Sequence, residues 1–393
     1  MPGKPLRVAV DASAIRPHGA GMARYTLGIL RATIARPELQ VRWSLLHPRP
    51  QELPPDLLDH HVGPSRALGG RPTEAWRARR IGWLSRRVGA DVLWCPTGRG
   101  PWGRSAPMVL TVHDLLPLHH RGALALPRRE QLSVGIALRR SLSNAESIIA
   151  VSQDTALGLA QRQPKLHGRI HVVTQAADDL YHEPATSEAT EGLRRLGLAD
   201  GRVWLHVGQL CRRKNLPRLI QAFAAVRSSL RPPPHLVLVG PDGDASRTVT
   251  RTIRTLGLQH EVSRIGWLRD DLLRALFERA EIVLCVALHE GFGRVALEAM
   301  TAGRPVLSSG RGALGSLALQ GGWTVDATRV ASLASGLRRL AEDGALRERL
   351  GSAGSLAAVG YRWSAAAERT ATILHKAQAT NKLCAPTKVQ PQS

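Results

Sequence analysis

Short apolar runs alternate along the chain with longer segments in which apolar residues recur every three or four positions. Apolar runs of strand length bounded by turn signals read as buried strands. The longer segments read as crossover helices, so the pattern predicts an α/β protein built on parallel sheets. LRVAVDAS (6–13) opens a first series, followed by a glycine-containing loop and a helical segment over 23–35. VRWSLL (41–46), DVLWCP (91–96), MVLTVHD (108–114), SIIAVS (147–152) and RIHVVT (169–174) complete it. A second series comprises RVWLHVG (202–208), HLVLVGP (235–241), VSRIGW (262–267), EIVLCVA (281–287), RPVLSS (304–309) and GWTVDA (322–327). Each series suffices for one doubly wound, Rossmann-like domain.

The stretch 181–201 is polar, holds Pro184 and contains no strand run. It is expected to link an amino-terminal domain (1–180) to a carboxyl-terminal one (202–361). Residues 362–377 read as a terminal helix and 378–393 as a frayed tail. Open parallel sheets bind ligands at the carboxyl ends of their strands, so the two domains are expected to face each other across a cleft lined by those loops.

Composition narrows the class. The 393 residues are enough for two domains, and 43% hydrophobic with 22% charged residues excludes a disordered chain. No apolar run reaches the roughly 18 residues of a membrane span, and the start, MPGKPLRVAV, lacks a signal-peptide core; a cytoplasmic location is expected. Cys95, Cys211, Cys285 and Cys384 are scattered without a C-x-x-C pair, which argues against a zinc site or a disulfide framework. The net charge of +23 comes from 48 Arg and 6 Lys spread over both halves of the chain. That spread, with no reader motif, reads as compositional drift towards arginine, and no nucleic-acid partner is expected. One stretch does cluster. Arg66 to Arg87 holds seven arginines against Glu74, with Trp76, Trp83, Leu84 and Val88 at helical spacing. It is either a peripheral contact with the inner face of an anionic membrane or a surface helix whose tryptophans pack inward.

The segment HEGFGRVALEAMTAGRPVLSS (289–309) follows a strand run. Gly291-Phe292-Gly293 makes a tight turn, and a helix starts near Arg294 with free N–H groups that favour an anion such as a diphosphate. Glu290 and Glu298 lie before that helix and on its second turn. Ionised carboxylates only accept hydrogen bonds, which suits hydroxyl-rich partners: a sugar for Glu290 and a ribose for Glu298. In HVGQLCRRKNLPRLIQAF (206–223), Gly208 permits a turn after a strand, and Arg212, Arg213 and Lys214 precede a helix where they could neutralise a leaving diphosphate.

With these segments, IGWLRDDLLRALFERAEIVL (265–284), VHDLLPLHH (112–120), SIIAVSQDT (147–155) and GAGMARYTLGIL (19–30), the chain resembles the family 4 glycosyltransferases over nearly its whole length. These are retaining enzymes of the glycosyltransferase-B fold. The resemblance implies a nucleotide-sugar donor held by the carboxyl-terminal domain. Glu290 would lie on the transferred sugar, Glu298 on the ribose, and Arg213 and Lys214 on the diphosphate. The Phe292 and Gly293 backbone would lie beneath sugar and phosphate, and the base near Gly266 and Trp267. In the amino-terminal domain Gly21 matches the first glycine of the phosphate loop and His113 the active-site histidine; alternatively, Asp114 caps the following turn and His113 is a strand-end residue. Gln209 stands where many members carry arginine, and Ala23 where a second glycine is common.

No motif nominates a nucleophile beneath the anomeric carbon, which favours front-face attack. The site segments hold no D-x-D-like motif, so no divalent metal is demanded, and no cofactor is expected. The loop RPHGAGMARYT (16–26) with VHDLLPLHH resembles the bacterial mannosyltransferase-like branch of surface-polysaccharide synthesis. GDP-mannose is therefore the first donor expectation, with a UDP-hexose also fitting, and a glycan or lipid-linked acceptor. A nucleotide-sugar epimerase on the same fold and a catalytically silent scaffold are the rival readings.

Overall fold

The computed structural model describes residues 4–17, 19, 21–62, 77–103, 105–118, 128–198 and 200–384. All twelve expected strands form, in two six-stranded parallel sheets. The first contains β1 (Leu6–Asp11), β2 (Val41–Leu46), β3 (Val92–Cys95), β4 (Met108–Val112), β5 (Ser147–Ala150) and β6 (Ile170–Val172), in the order β2-β1-β3-β4-β5-β6. The second contains β7 (Arg202–Val207), β8 (Pro234–Val239), β9 (Val262–Ile265), β10 (Ala280–Cys285), β11 (Val306–Ser308) and β12 (Gly322–Thr324), in the order β12-β11-β10-β7-β8-β9. In each sheet the chain steps outward from its first strand and then returns to that strand's other side. Switch points therefore fall between β1 and β3 and between β7 and β10, the places where open sheets part to admit ligands.

The central strands are apolar because helices cover both faces of a parallel sheet. In the first unit, Trp94 is fully buried and its Nε1 donates to Thr111 Oγ1 (3.0 Å), which also lies 3.4 Å from the Tyr25 hydroxyl. In the second, fully buried Trp204 packs edge-on against Phe223 with ring centroids 5.7 Å apart. Arg202 grips Glu281 through two 2.8 Å hydrogen bonds, and Trp204 Nε1 donates to the same carboxylate (3.1 Å). Glu281 so fixes β7 against β10 at the amino-terminal end of the pair, opposite the loops that carry the chemistry.

Two domain boundaries differ from expectation. The stretch 181–201 is not a linker. The Thr186 hydroxyl accepts from the Ala189 N–H and starts the helix Ser187–Arg195, whose Gly192 lies so close to Leu272 that an added Cβ would come within 2.5 Å of it. This helix belongs to the second unit, which among the described residues comprises 128–131 and 175–362. The terminal helix runs Trp363–Cys384, so 378–384 continue it rather than fray, and it returns to the first unit. There the Trp363 ring covers Gly28, where any Cβ would sit 2.5 Å from the indole, and Arg36 donates to the Ser364 carbonyl (3.1 Å).

The described part of the basic segment differs from a surface helix whose tryptophans pack inward. Residues 66–76, with Trp76, lie outside the described residues. Beyond them a π-type turn (Arg77–Ile81) leads into the helix Gly82–Arg87. Arg77 is buried, its Nε 3.4 Å from Asp11 Oδ2 and 3.1 Å from Ser13 Oγ, because the fully buried Asp11 takes it as counter-charge. Leu84 packs inward and Trp83 points outward. Among the described residues no helix is long and apolar enough to cross a membrane.

Candidate active site

The site assembles at the β7/β10 switch point. After β7, Gly208 (φ 142°) turns the chain into the short turn Arg212–Lys214. Asn215 (φ 61°) then redirects it into the helix Leu216–Arg227. Gly208 is tightly enclosed: a Cβ would stand 3.0 Å from Lys214 Cε, so that side chain would have to shift. After β10 the chain runs through Glu290 to Gly293 (φ 92°), which starts the helix Arg294–Thr301. A Cβ at Gly293 would lie 2.8 Å from Leu314. The Phe292 ring is buried edge-on against Tyr361 at 6.2 Å, so what this turn can offer a ligand is backbone.

The two loops meet through charge. Arg213 Nη1 donates to Glu290 Oε2 (2.7 Å) and to the His289 carbonyl (3.0 Å), and Lys214 Nζ donates to the same Glu290 oxygen (3.0 Å). A backbone bond from Leu288 N to Arg213 O (2.8 Å) closes the junction. Burial alone would raise the Glu290 pKa. The adjacent Lys214 and Arg213 charges, with their hydrogen bonds, outweigh it and hold the carboxyl down at about 2. Two cations on one carboxylate leave the cluster at net +1, part-exposed and fit for a polyanion.

Around this cluster the environment is tuned by burial. His206 Nδ1 lies 2.9 Å from the Leu284 carbonyl, which can only accept, so Nδ1 carries the hydrogen; burial and Lys214 push the ring pKa down to about 4 and keep it neutral. Burial raises the Cys285 thiol to about 12, Lys214 opposing that rise and Glu290 and Glu298 adding to it. The end of β10 is therefore where the charges of Lys214, Glu290 and Glu298 converge.

Glu298 is tied to Arg294. It is 4% exposed and accepts from Arg294 Nε (2.9 Å), while Arg294 Nη2 reaches Asp178 Oδ2 (3.1 Å). Gly266 follows β9, its carbonyl accepting from Gly240 N (3.0 Å), and Trp267 beside it is 49% exposed. Sequence reasoning missed Arg294, Asp178 and His206. The i,i+4 spacing of Arg294 and Glu298 was a visible signal for the first. Asp178, 116 residues away, and the orientation of His206 had none.

Gly21 and His113 belong to the first unit. Gly21 opens the helix Gly21–Ile34 with nothing within 4 Å of where a Cβ would be. The His113 ring bonds the Pro96 carbonyl through Nε2 (2.8 Å) and stands edge-on to Tyr25 at 4.9 Å; burial lowers its pKa. Asp114 Oδ1 accepts from Leu116 N (2.9 Å) and so caps the following turn. Among the described residues no group of three His, Cys, Asp or Glu side chains gathers as metal ligands.

Two parallel sheets with switch-point sites define a glycosyltransferase-B architecture, and solved structures agree on the fold. Sucrose-phosphate synthase from Thermosynechococcus elongatus superposes with a TM-score of 0.73 at 20% identity, covering 98% of this chain and all of that one. HepE from Anabaena, solved in complex with UDP and glucose, superposes at 0.70 and 20% identity over 94% of this chain and all of its own. The family model for glycosyl transferases group 1 matches residues 194–356. D-inositol 3-phosphate glycosyltransferase of Corynebacterium diphtheriae is 27% identical over 307 residues, covering 76% of this chain and 68% of that protein. Alpha-D-kanosaminyltransferase of Streptomyces kanamyceticus is 27% identical over 312 residues, 76% of this chain and 80% of that protein. The matched residues 194–356 and the curated relatives support an enzyme that transfers sugars, similar to the family 4 glycosyltransferases.

Proposed function

We propose that this enzyme takes a hexose from a nucleotide diphosphate donor with retention of anomeric configuration and passes it to a hydroxyl of a glycan or lipid-linked acceptor. The observation that carries the reading is the Arg213–Lys214–Glu290 cluster at the β7/β10 switch point. In the reaction the bond from the anomeric carbon to the phosphate oxygen breaks and its electron pair leaves with the diphosphate. The acceptor hydroxyl attacks from the same face and its proton goes to a phosphate oxygen. Negative charge grows on the phosphate, where Arg213 and Lys214 offset it, and the N–H groups at the start of the helix Arg294–Thr301 add to that field. Glu290, ionised across any working pH, keeps both cations aimed and accepts hydrogen bonds from sugar hydroxyls. The Phe292–Gly293 backbone lies beneath sugar and phosphate. Glu298, aligned by Arg294, takes the ribose, and Trp267 with Gly266 takes the base.

Gly21 and His113 enter this reading from the family resemblance. A neutral His113 suits a site where positive charge develops on the sugar. The two cations would do the electrostatic work of a divalent ion, so transfer is expected to need no metal and no cofactor. GDP-mannose gains no support from the relatives, and HepE, solved with UDP and glucose, favours a UDP-hexose. D-inositol 3-phosphate, named for one relative, is the acceptor to compare with glycan and lipid-linked candidates. A role in surface-polysaccharide synthesis rests on the motifs of residues 16–26 and 112–120.

The test is product analysis with UDP-, GDP- and ADP-hexoses and a panel of those acceptors. A glycosylated acceptor whose new linkage keeps the donor's anomeric configuration supports the reading. An inverted linkage contradicts it, and an isomerised nucleotide sugar with no glycosylated acceptor points to the epimerase.

A further inference from the structure

The donor cluster makes no use of the outer surface of the first unit, where apolar and cationic side chains are displayed together. Along the segment Arg77–Arg87, Ala78, Ile81 and Ser85 point inward, leaving Arg79, Arg80, Trp83, Arg86 and Arg87 on the outer face. Trp83 is 43% exposed with the Arg87 guanidinium 5.0 Å from its ring centroid. Trp102 is 51% exposed under Arg140 at 5.7 Å. The two sites are tied by a hydrogen bond from Trp102 N to the Ala78 carbonyl (3.0 Å). Arg140 lies on the helix Arg128–Asn144, where Leu132 and Ile136, two turns and one turn before it on the same face, are 63% and 55% exposed. Residues 77–103 and 132–144 contain eight arginines and one acid, Asp91, which is already held by Arg7 (3.0 Å).

We propose that this surface, Trp83, Trp102, Leu132 and Ile136 among Arg79, Arg80, Arg86, Arg87, Arg139 and Arg140, docks the enzyme on an anionic phospholipid surface. The side-chain chemistry selects that occupant. Guanidiniums attract anionic head groups, and indole rings prefer the boundary between head groups and acyl chains. A nucleic acid would use the arginines and could stack on the indoles, but Leu132 and Ile136 have no part in phosphate or base recognition. The inference is independent of the donor assignment, since none of these residues belongs to the second unit.

The test is co-sedimentation of the full chain with vesicles of phosphatidylcholine alone and of phosphatidylcholine mixed with phosphatidylglycerol. Binding is expected to the mixed vesicles only, and to weaken as salt rises. The quadruple variant Arg79→Gln, Arg80→Gln, Arg86→Gln, Arg87→Gln should lose affinity several hundredfold, at roughly fivefold per cation near such a surface. The variant Leu132→Gln, Ile136→Gln keeps every charge and should also lose at least about tenfold. Circular dichroism and thermal melting unchanged from wild type show that each variant is folded; should the arginine variant fail that check, Arg79→Gln, Arg80→Gln replaces it with a loss of at least about tenfold expected, and should the apolar variant fail, Leu132→Gln alone replaces it with a loss of at least about threefold expected. No binding to the mixed vesicles overturns the proposal. So does an apolar-to-Gln variant that binds as wild type, which would mean adsorption by charge alone. An oligonucleotide that displaces the vesicles, and binds both the wild type and that variant equally, would assign the surface to nucleic acid instead.

Discussion

Replacing Glu290 by Gln removes the carboxylate on which Arg213 and Lys214 converge, and the size and pH dependence of the effect follow from the site. The carboxyl falls from 4.5 to about 2 on folding, and each unit is about 1.4 kcal/mol of preference for the charged form. With its side chain 19% exposed, the stabilisation comes to about 2–3 kcal/mol. Because the folded-state pKa is depressed, that contribution is complete above the unfolded value near 4.5 and is lost as pH falls towards 2. Thermal melts of wild type and Glu290→Gln from pH 7 to pH 3 should therefore show a gap of roughly 5–10 °C in the transition of the second unit near neutrality, shrinking below pH 5. Stranding two cations in the variant adds a destabilisation with no such pH dependence, so the narrowing is the diagnostic part. A gap of constant size across the range would refute the coupling.

Lys214→Ala should lower kcat/KM for the donor by a factor on the order of 10² to 10³, read in a transfer assay; unchanged turnover would remove its diphosphate role. Glu298→Ala should weaken nucleotide binding about tenfold or more in calorimetry while leaving the rate of sugar transfer at saturation less affected, the reverse of Glu290→Gln. Gly208→Ala forces a side chain into a φ of 142° and against Lys214, and should cost about 2 kcal/mol or more of stability together with donor affinity. Transfer should continue in excess EDTA, and its loss with recovery on adding a divalent ion would contradict the cationic reading of the site.

The strands were legible because a sheet covered on both faces needs unbroken apolar runs, and LRVAVD or EIVLC can pack in few other ways. A local cap went unread: the Thr186 side chain accepts from Ala189 N and starts a helix inside what reads as a linker. Long-range partners leave no local trace. That Arg77 turns away from a solvent-facing arginine stripe depends on a buried Asp11 sixty-six positions earlier, and that the last helix rejoins the first unit depends on Gly28 leaving space for Trp363. At the candidate site, the spacing of Glu290 and Glu298 drew attention to both acids but not to their partners: Arg213 and Lys214 on Glu290, and on Glu298 Arg294, which also pairs with Asp178.

The most direct measurement is isothermal titration of the full chain with UDP, GDP, ADP and their hexose conjugates, repeated on Lys214→Ala. The wild type should bind one nucleotide diphosphate per chain, UDP most tightly, and the variant at least tenfold more weakly. Flat titrations with all of them, or equal affinity in the variant, would contradict a donor site at the Arg213–Lys214–Glu290 cluster.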